Sequence, residues 1–157
     1  MSENVIKEIS KQIATEISAQ MKYEYLSLNE AIKLITKGQE FATKIGIPMV
    51  FTVVDAGGNL IAEHRMDGAL LASIEISRQK AYTAVCLHMS TEQLAGEIQP
   101  GRSLYGLQNN GNYCVFGGGV PLVAKEQCIG AIGVSGGTAR QDTLVVKQIE
   151  RFFYEGK

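Results

Sequence analysis

The sequence is poor in the residues that usually build metal and disulfide sites, with three cysteines and two histidines in 157 residues. Cys86, Cys114 and Cys128 are widely spaced and odd in number, and they form no C-x-x-C pair or zinc-binding spacing. His64 and His88 also match no metal-ligand spacing. We therefore expect no zinc site, and reduced, buried thiols.

Excess charge and long apolar runs are also missing. Fifteen basic and sixteen acidic residues leave a formal net charge of −1, too little to attract nucleic acid or an anionic membrane. The sequence has no apolar run of about 18 residues, the length that typically crosses a membrane, and its start does not resemble a signal peptide. We expect a cytoplasmic protein without nucleic-acid or membrane partners.

What is present is an ordinary globular composition, 45% hydrophobic and 20% charged. At this length a single domain can bury a sufficient core, so residues 1–157 are interpreted as one domain. Residues 1–22 form a predicted helical extension, in which Ile6, Ile9, Ile13, Ile17 and Met21 make one apolar stripe.

Hydrophobic periodicity predicts the element order α-α-β-β-α-α-β-β-β-α. Capping boxes at Ser27/Glu30 and Thr138/Gln141 mark two helix starts. Short links between strands favour an antiparallel sheet with helices packed on it, an α+β fold. The five predicted strands cover residues 49–54, 60–64, 113–116, 120–124 and 128–135.

The glycine-rich stretch 133–137 runs from a predicted strand into the Thr138 cap. Such a junction can bind a phosphate or carboxylate through free helix amides, or it can simply turn the chain. Ser135 fits G-x-S-x-G, but no histidine follows it, as that hydrolase order requires. The dinucleotide fingerprint fails because Ala131 stands where glycine is needed, and no P-loop is present.

Residues 64–68 (HRMDG) concentrate several ligand-capable side chains after the first hairpin. Arg65 could bind a carboxylate, and His64 or Met66 could ligate a haem iron. Alternatively, Arg65 pairs with Asp67, and the others pack or face solvent.

Two further charged residues allow two interpretations each. Asp55 precedes two glycines, where it either faces a cleft or forms a turn. Lys80 could neutralise an anion, but a solvated surface position is favoured.

Five motifs together resemble the GlcG/HbpS family, which includes the C-terminal domain of PduO-type proteins. They are residues 53–62 (VVDAGGNLIA), 65–69 (RMDGA), 80–84 (KAYTA), 118–122 (GGVPL) and 129–137 (IGAIGVSGG). The resemblance spans about residues 27–155. Each motif is weak alone, but the set is specific.

The resemblance implies a profilin-like α+β domain, with a five-stranded antiparallel sheet flanked by helices, that assembles into homo-oligomers. Some relatives bind haem, and others are encoded with glycolate or cobalamin-dependent diol or glycerol metabolism. The adenosyltransferase activity of full-length PduO-type proteins is not expected. By its similarity to the PduO-type haem binders, the resemblance would place an iron-ligating histidine in the N-terminal helical region. Residues 1–48 contain none, so ligation would fall to His64, a tyrosine, a methionine or a cysteine.

We therefore expect a homo-oligomeric binding protein for a small anionic or tetrapyrrole-like ligand, with haem as the named cofactor and His64 as the iron ligand. The alternative is a non-catalytic accessory protein of cobalamin-dependent diol or glycerol metabolism, or of glycolate metabolism. No nucleophile, acid–base pair or metal cluster points to an enzyme. The predicted ligand-binding residues are Asp55, Gly57, Gly58, Arg65, Met66, Asp67, Gly117, Gly118, Gly119, Ser135, Gly136, Gly137 and Thr138.

Overall fold

A computed structural model describes residues 3–20 and 24–156. Its helices and strands follow the predicted order except at one position. Along the chain they are α1 (Glu3–Gln20), α2 (Leu28–Lys44), β1 (Val50–Asp55), β2 (Leu60–Arg65), α3 (Ala72–Leu87), α4 (Thr91–Glu97), a short 3-10 helix (Leu107–Asn109), β3 (Gly119–Ala124), β4 (Gln127–Ser135) and α5 (Ala139–Glu155).

The strands form one antiparallel sheet in the order β2-β1-β4-β3, which confirms the α+β class. The prediction of five strands is wrong: in the described part of the chain the sheet has four. Residues 113–116 are not a strand, because the Cys114 amide is hydrogen-bonded to a helix and not to a neighbouring strand. The Cys114 amide donates to Thr83 Oγ1 at 2.8 Å, and the Gly119 amide donates to Thr91 Oγ1 at 2.9 Å. The profilin-like label stays a prediction.

Helices cover both faces of the sheet, as the alternation of side chains along β1 requires. Phe51 and Val53 face the larger core, which α2 and α5 complete. Thr52 and Val54 face α3, where Ser77 and Ala81 contact them. The sheet is therefore the middle of three layers, and α3 is the main cover of its second face.

The predicted capping boxes fix where two of these helices begin. The Ser27 hydroxyl accepts from the Glu30 amide at 3.2 Å, and the Glu30 carboxylate accepts from the Ser27 amide at 3.2 Å. Thr138 and Gln141 form the same reciprocal pair at the start of α5. Both boxes are confirmed, and the second one sets the position of α5 against the end of β4.

The predicted N-terminal helix is present as α1, but it does not join the core. All side chains of residues 3–17 are exposed, including the apolar stripe of Ile6, Ile9, Ile13 and Ile17. Met21, the predicted end of that stripe, lies outside the described residues. Among the described helices, none is both long enough and apolar enough to span a membrane.

Candidate functional site

The structure separates the predicted ligand-binding residues into two groups at opposite ends of the sheet. At one end, Val50 pairs with both Arg65 and Ser135, so residues 65–67 and 135–138 are neighbours there. Asp55 lies at the other end of β1, opposite Gly130. Because a strand rises about 3.4 Å per residue, the two ends of β1 are roughly 17 Å apart. Within one chain, a single small ligand does not bridge both groups, and ligand binding by either group stays a prediction.

Asp55 forms the turn between β1 and β2. Its Oδ1 accepts from the amides of Gly57 and Asn59, both at 2.9 Å, and from Asn59 Nδ2 at 3.1 Å. Burial opposes ionisation of this carboxyl, but the hydrogen bonds from Asn59 and Gly57 outweigh it and lower the pKa of Asp55. Gly58 has φ +78°, which suits glycine. Turn formation accounts for this group of residues.

The glycines at the other end let helices approach the sheet closely. A Cβ on Gly119 would lie 2.5 Å from the Lys80 carbonyl oxygen, and one on Gly133 would overlap the Ser77 carbonyl oxygen. Gly118 has φ +126°, and a Cβ there would lie 2.7 Å from Lys80 Nζ. Protein atoms therefore fill the space next to these glycines, which explains them without a ligand.

A buried ion pair lies next to Gly118. Lys80 Nζ donates to Asp142 Oδ2 at 2.7 Å and to the Val134 carbonyl oxygen at 2.8 Å, and the lysine side chain is fully buried. Asp142 Oδ1 also accepts from the Gly137 amide at 2.9 Å. The prediction that Lys80 is a solvated surface residue is wrong. The pair joins α3, the end of β4 and the start of α5.

Burial and these hydrogen-bond partners have opposite effects on the pKa of Asp142. Burial raises the pKa of its carboxyl above the ordinary value, while Lys80 and the amides of Gly137 and Gly136 oppose that rise. The Lys80 ammonium also lies 5.2 Å from the centroid of the Phe116 ring. With its charge and hydrogen bonds satisfied, Lys80 acts here as a structural cation.

Residues 64–67 are placed at the end of the edge strand β2, where they make mostly local contacts. His64 is half-buried on the α2 side, with Nδ1 3.5 Å from Gln39 Oε1. Arg65 donates through Nε and Nη2 to the Ala69 carbonyl oxygen at 3.1 and 2.9 Å. Met66 Sδ accepts from the Met49 amide at 3.4 Å. Arg65 therefore stabilises the turn before α3, and no ion pair to Asp67 forms.

A second feature, which the sequence reasoning missed, is a cluster of tyrosine and cysteine side chains on the outer face of α3. Tyr82 and Cys86 are exposed and one helical turn apart, and the Tyr113 ring stacks on Tyr82 with centroids 6.5 Å apart and planes at 23°. The hydrogen bond with Cys86 and, after it, the electrostatic interaction with the Cys86 thiol group raise the pKa of the Tyr82 phenol. We call Tyr82, Cys86 and Tyr113 the α3 cluster.

A cleft of about 220 Å³, the α3 cleft, opens beside this cluster between α3 and β2. Arg78 in its wall is held by Glu63 through two hydrogen bonds of 2.7 and 2.8 Å. The floor is apolar at Val54 and Leu60. The full lining is Thr52, Val54, Gly58, Leu60, Glu75, Arg78, Gln79, Tyr82 and Asn112.

A wider cleft of about 370 Å³, the α4–α5 cleft, is lined by Gly117 and by residues of α4 and α5. Exposed Phe116 and Leu144 give it an apolar surface, and Arg140 and Lys147 give it positive charge. Lys147 pairs with Glu92 across the cleft, whereas Arg140 has no ion pair or hydrogen bond to any described residue. An anion with an apolar body matches this lining.

These features define a class of protein. It is an α+β domain with an apolar core, in which every buried polar side-chain atom of the described residues has a hydrogen-bond partner, and with open clefts on its surface. No group of three or more histidine, cysteine, aspartate or glutamate side chains in residues 3–20 and 24–156 could hold a bare metal ion.

A family model described as "Haem degrading protein HbpS-like" matches residues 26–150. The match covers most of the chain, so this protein belongs to the HbpS-like family. The resemblance inferred from the sequence motifs is thereby confirmed. α1 precedes the matched residues.

Three known proteins show how the similarity is distributed. An uncharacterised 15.0 kDa protein from the dhaT–dhaS intergenic region of Citrobacter freundii is 44% identical over 88% of this chain and 92% of its own. The corrinoid adenosyltransferase PduO of Salmonella typhimurium is 36% identical over 88% of this chain but only 43% of its own length. A crystal structure of a PduOC–haem complex is 35% identical, with a TM-score of 0.78 over 82% of this chain and 94% of that one.

Proposed function

We propose that this protein binds a tetrapyrrole, haem in the first instance, on the outer face of α3. The observation that carries the proposal is the α3 cluster, which brings two kinds of iron ligand and two flat aromatic rings to the edge of a cleft. The similar PduOC chain was crystallised with haem. Catalytic turnover is no part of this proposal.

The residues of the α3 cluster fit the chemistry of haem. The Tyr82 phenol and the Cys86 thiol are both groups that ligate haem iron in proteins once deprotonated. Aromatic rings such as Tyr113 favour stacked contact with a flat conjugated ligand. Arg78 lines the cleft and, although it is paired with Glu63, it can donate hydrogen bonds to a carboxylate of the ligand.

Two features of the α3 cluster and the α3 cleft restrict how haem can bind there. The pKa of the Tyr82 phenol is raised, so the phenol resists the deprotonation that ligation requires. We therefore expect Cys86 and not Tyr82 to ligate the iron. The α3 cleft, at about 220 Å³, is smaller than the roughly 300–1,000 Å³ typical of ligand pockets. We infer that one chain covers only part of the ligand and that a homo-oligomer covers the rest.

The test is a hemin titration of the full chain followed by the Soret band. We expect a saturable one-to-one shift that weakens at least ten-fold in Cys86→Ser and changes in position in Tyr82→Phe. Cys128→Ser and Tyr105→Phe are matched controls that remove the same groups elsewhere. A linear, unsaturable response would refute haem binding. A response that is lost only in His64→Ala would move the iron to β2.

The predicted anionic ligand is a second candidate, favoured by the α4–α5 cleft. Arg140 is there without a partner among the described residues, beside exposed Phe116. Thermal shift with hemin, cobalamin, nucleotides and small hydroxy acids separates the candidates, because a ligand that binds only the folded state raises the melting temperature, and at equal concentration a tighter ligand raises it more. Stabilisation by a hydroxy acid that disappears in Arg140→Gln but persists in Arg151→Gln supports this cleft.

The accessory role in cobalamin-dependent diol or glycerol metabolism, or in glycolate metabolism, is the alternative proposal, and the exposed apolar stripe of α1 favours it because such surfaces are typical of protein interaction sites. Stabilisation by cobalamin but not by hemin in the same screen would support it. The cytoplasmic location expected from the sequence stays a prediction.

A further inference from the structure

The α4–α5 cleft contains a hydroxyl group that the described part of the chain leaves without a partner. Thr143 on α5 is only 7% exposed, and its Oγ1 makes no hydrogen bond to any described residue. No buried side-chain oxygen or nitrogen of the described residues lacks a partner, so this oxygen keeps an opening. Because Thr143 lines the α4–α5 cleft, the opening faces the cleft. Polar groups this deeply placed are normally hydrogen-bonded, and this hydroxyl can be satisfied from the cleft.

The backbone of Gly117 borders the same hydroxyl. A Cβ at Gly117 would overlap Thr143 Oγ1. Gly117 does not have the left-handed backbone conformation that favours glycine. A side chain at this position would therefore close the space beside the hydroxyl, whatever the backbone conformation allows.

The charged residues that line the cleft leave one positive charge in excess. Glu92 and Lys147 form an ion pair, so their charges cancel. Arg140 has no ion pair or hydrogen bond to any described residue, and it lies three positions before Thr143, on the same face of α5. A guanidinium group matches the geometry of a carboxylate. The cleft therefore favours an anion with a single charge, because a second carboxylate would meet Glu92.

The rest of the cleft is apolar. Phe116 is 43% exposed and Leu144 is 55% exposed, so both retain apolar surface that a ligand can cover. The volume of about 370 Å³ lies at the small end of the roughly 300–1,000 Å³ of ligand pockets. A phenylalanine ring also favours stacked or edge contact with a second ring. The lining therefore matches a small ligand with a flat apolar body.

We propose that the α4–α5 cleft binds a small monocarboxylic acid with an aromatic body. This inference rests on the second candidate function, anion binding in this cleft, and names the class of ligand. Arg140 binds the carboxylate, and the Thr143 hydroxyl donates a hydrogen bond to one of its oxygens. The aromatic body lies against Phe116 and Leu144.

Isothermal titration calorimetry of the full chain with 3-phenylpropionate tests the ligand class, and we expect one saturable site per chain. Lactate lacks the ring, 3-phenylpropanol lacks the charge, and 1,4-benzenedipropionate adds a second carboxylate. Each should bind at least about ten-fold more weakly. If lactate binds as tightly and depends on Arg140, anion binding in the cleft stands and the aromatic ligand class is wrong. If no carboxylate binds, both proposals fail.

Charge-removing variants of α5 locate the site. Arg140→Gln is expected to raise the dissociation constant of 3-phenylpropionate about ten-fold or more. Arg151→Gln removes the same charge from an exposed position near the other end of α5 and should change it by less than about two-fold. Equal effects of the two variants would mean that the carboxylate binds outside the α4–α5 cleft and would overturn the proposal.

Thr143→Val separates a ligand-binding hydroxyl from a structural one, because valine keeps the shape and removes the oxygen. We expect affinity for 3-phenylpropionate to fall about three- to ten-fold, with a melting temperature that is unchanged or higher. Thr36→Val on the exposed side of α2 is the control and should leave the affinity unchanged. Unchanged affinity in Thr143→Val, or a clear fall in its melting temperature, contradicts the proposal. The hemin titration is independent, since none of these residues lies in the α3 cluster.

Discussion

The two faces of α3 are built from similar polar residues and differ in how completely those residues are satisfied. On the inner face, Ser77, Lys80 and Thr83 all have buried hydrogen-bond partners. On the outer face, Tyr82 and Cys86 are exposed beside the α3 cleft. Inner-face residues should therefore decide stability, and outer-face residues should decide binding. Variants of this one helix test that division, since each face predicts a different measurement.

The largest effect is expected for Lys80→Met, which removes the cation from the inner face. Asp142 is then buried without a counter-charge, and breaking a buried pair in this way costs about 3–5 kcal/mol of unfolding free energy. Urea denaturation at neutral pH measures the loss. If the loss is below about 1 kcal/mol, the inner face is not what holds α3 to α5.

The pH dependence of the same variant has a definite sign. Burial already raises the pKa of Asp142, and removal of Lys80 should raise that pKa further. A folded-state pKa above the unfolded value favours folding at low pH, and this contribution is lost as the pH rises through the folded pKa. Lys80→Met should therefore be least destabilised in acid. Lys80→Met combined with Asp142→Leu should recover part of the loss and abolish the pH dependence.

Gly133→Ala is expected to have the next largest effect, because its methyl group would overlap the Ser77 carbonyl oxygen and push α3 away from the sheet. Overpacking of this kind costs about 1–3 kcal/mol. Gly96→Ala in the last turn of α4 is the matched control, since the added Cβ has open space around it and alanine has a higher helix propensity than glycine. Melting temperatures of the two variants should move in opposite directions. A tolerated Gly133→Ala would show that α3 can shift without loss.

Local signals in the sequence were sufficient for most of the fold. The Ser27 and Thr138 capping boxes fixed two helix starts, and β-favouring runs bounded by turn residues located four of the strands. Residues 113–116 have a β-favouring composition as well, but the Cys114 amide bonds to the Thr83 hydroxyl on α3. That choice depends on residues about thirty positions away, which periodicity does not report.

The candidate site was less predictable for two different reasons. The separation of Asp55 from Arg65 follows from the hairpin itself, because a residue at the turn and one at the far end of the second strand lie at opposite ends of a sheet. The predicted hairpin alone was therefore enough to infer that Asp55 and Arg65 lie apart. The burial of Lys80 was not, because its partner Asp142 is 62 residues away and no local pattern links them.

A smaller effect is expected for Thr83→Val, which keeps the shape of the side chain and removes the hydroxyl oxygen that accepts from Cys114 N. An unsatisfied buried amide costs about 1–2 kcal/mol. Chemical denaturation should show this loss, whereas Thr36→Val on the exposed side of α2 should change stability by less than about 0.5 kcal/mol. Equal values for the two threonines would mean that the loop before β3 does not need its anchor on α3.

The smallest effect on stability is expected on the outer face, for Cys86→Ala. The exposed thiol supports no buried contact, so the unfolding free energy should change by less than about 0.5 kcal/mol. Cys86 does raise the pKa of the Tyr82 phenol, so that pKa should fall toward its ordinary value in the variant. A titration of ring-labelled tyrosine by NMR measures it, with Tyr105 in the same spectrum as an internal reference. An unchanged Tyr82 pKa, or a loss of stability as large as that of Thr83→Val, would mean that the two faces of α3 are not distinct in the way their contacts indicate.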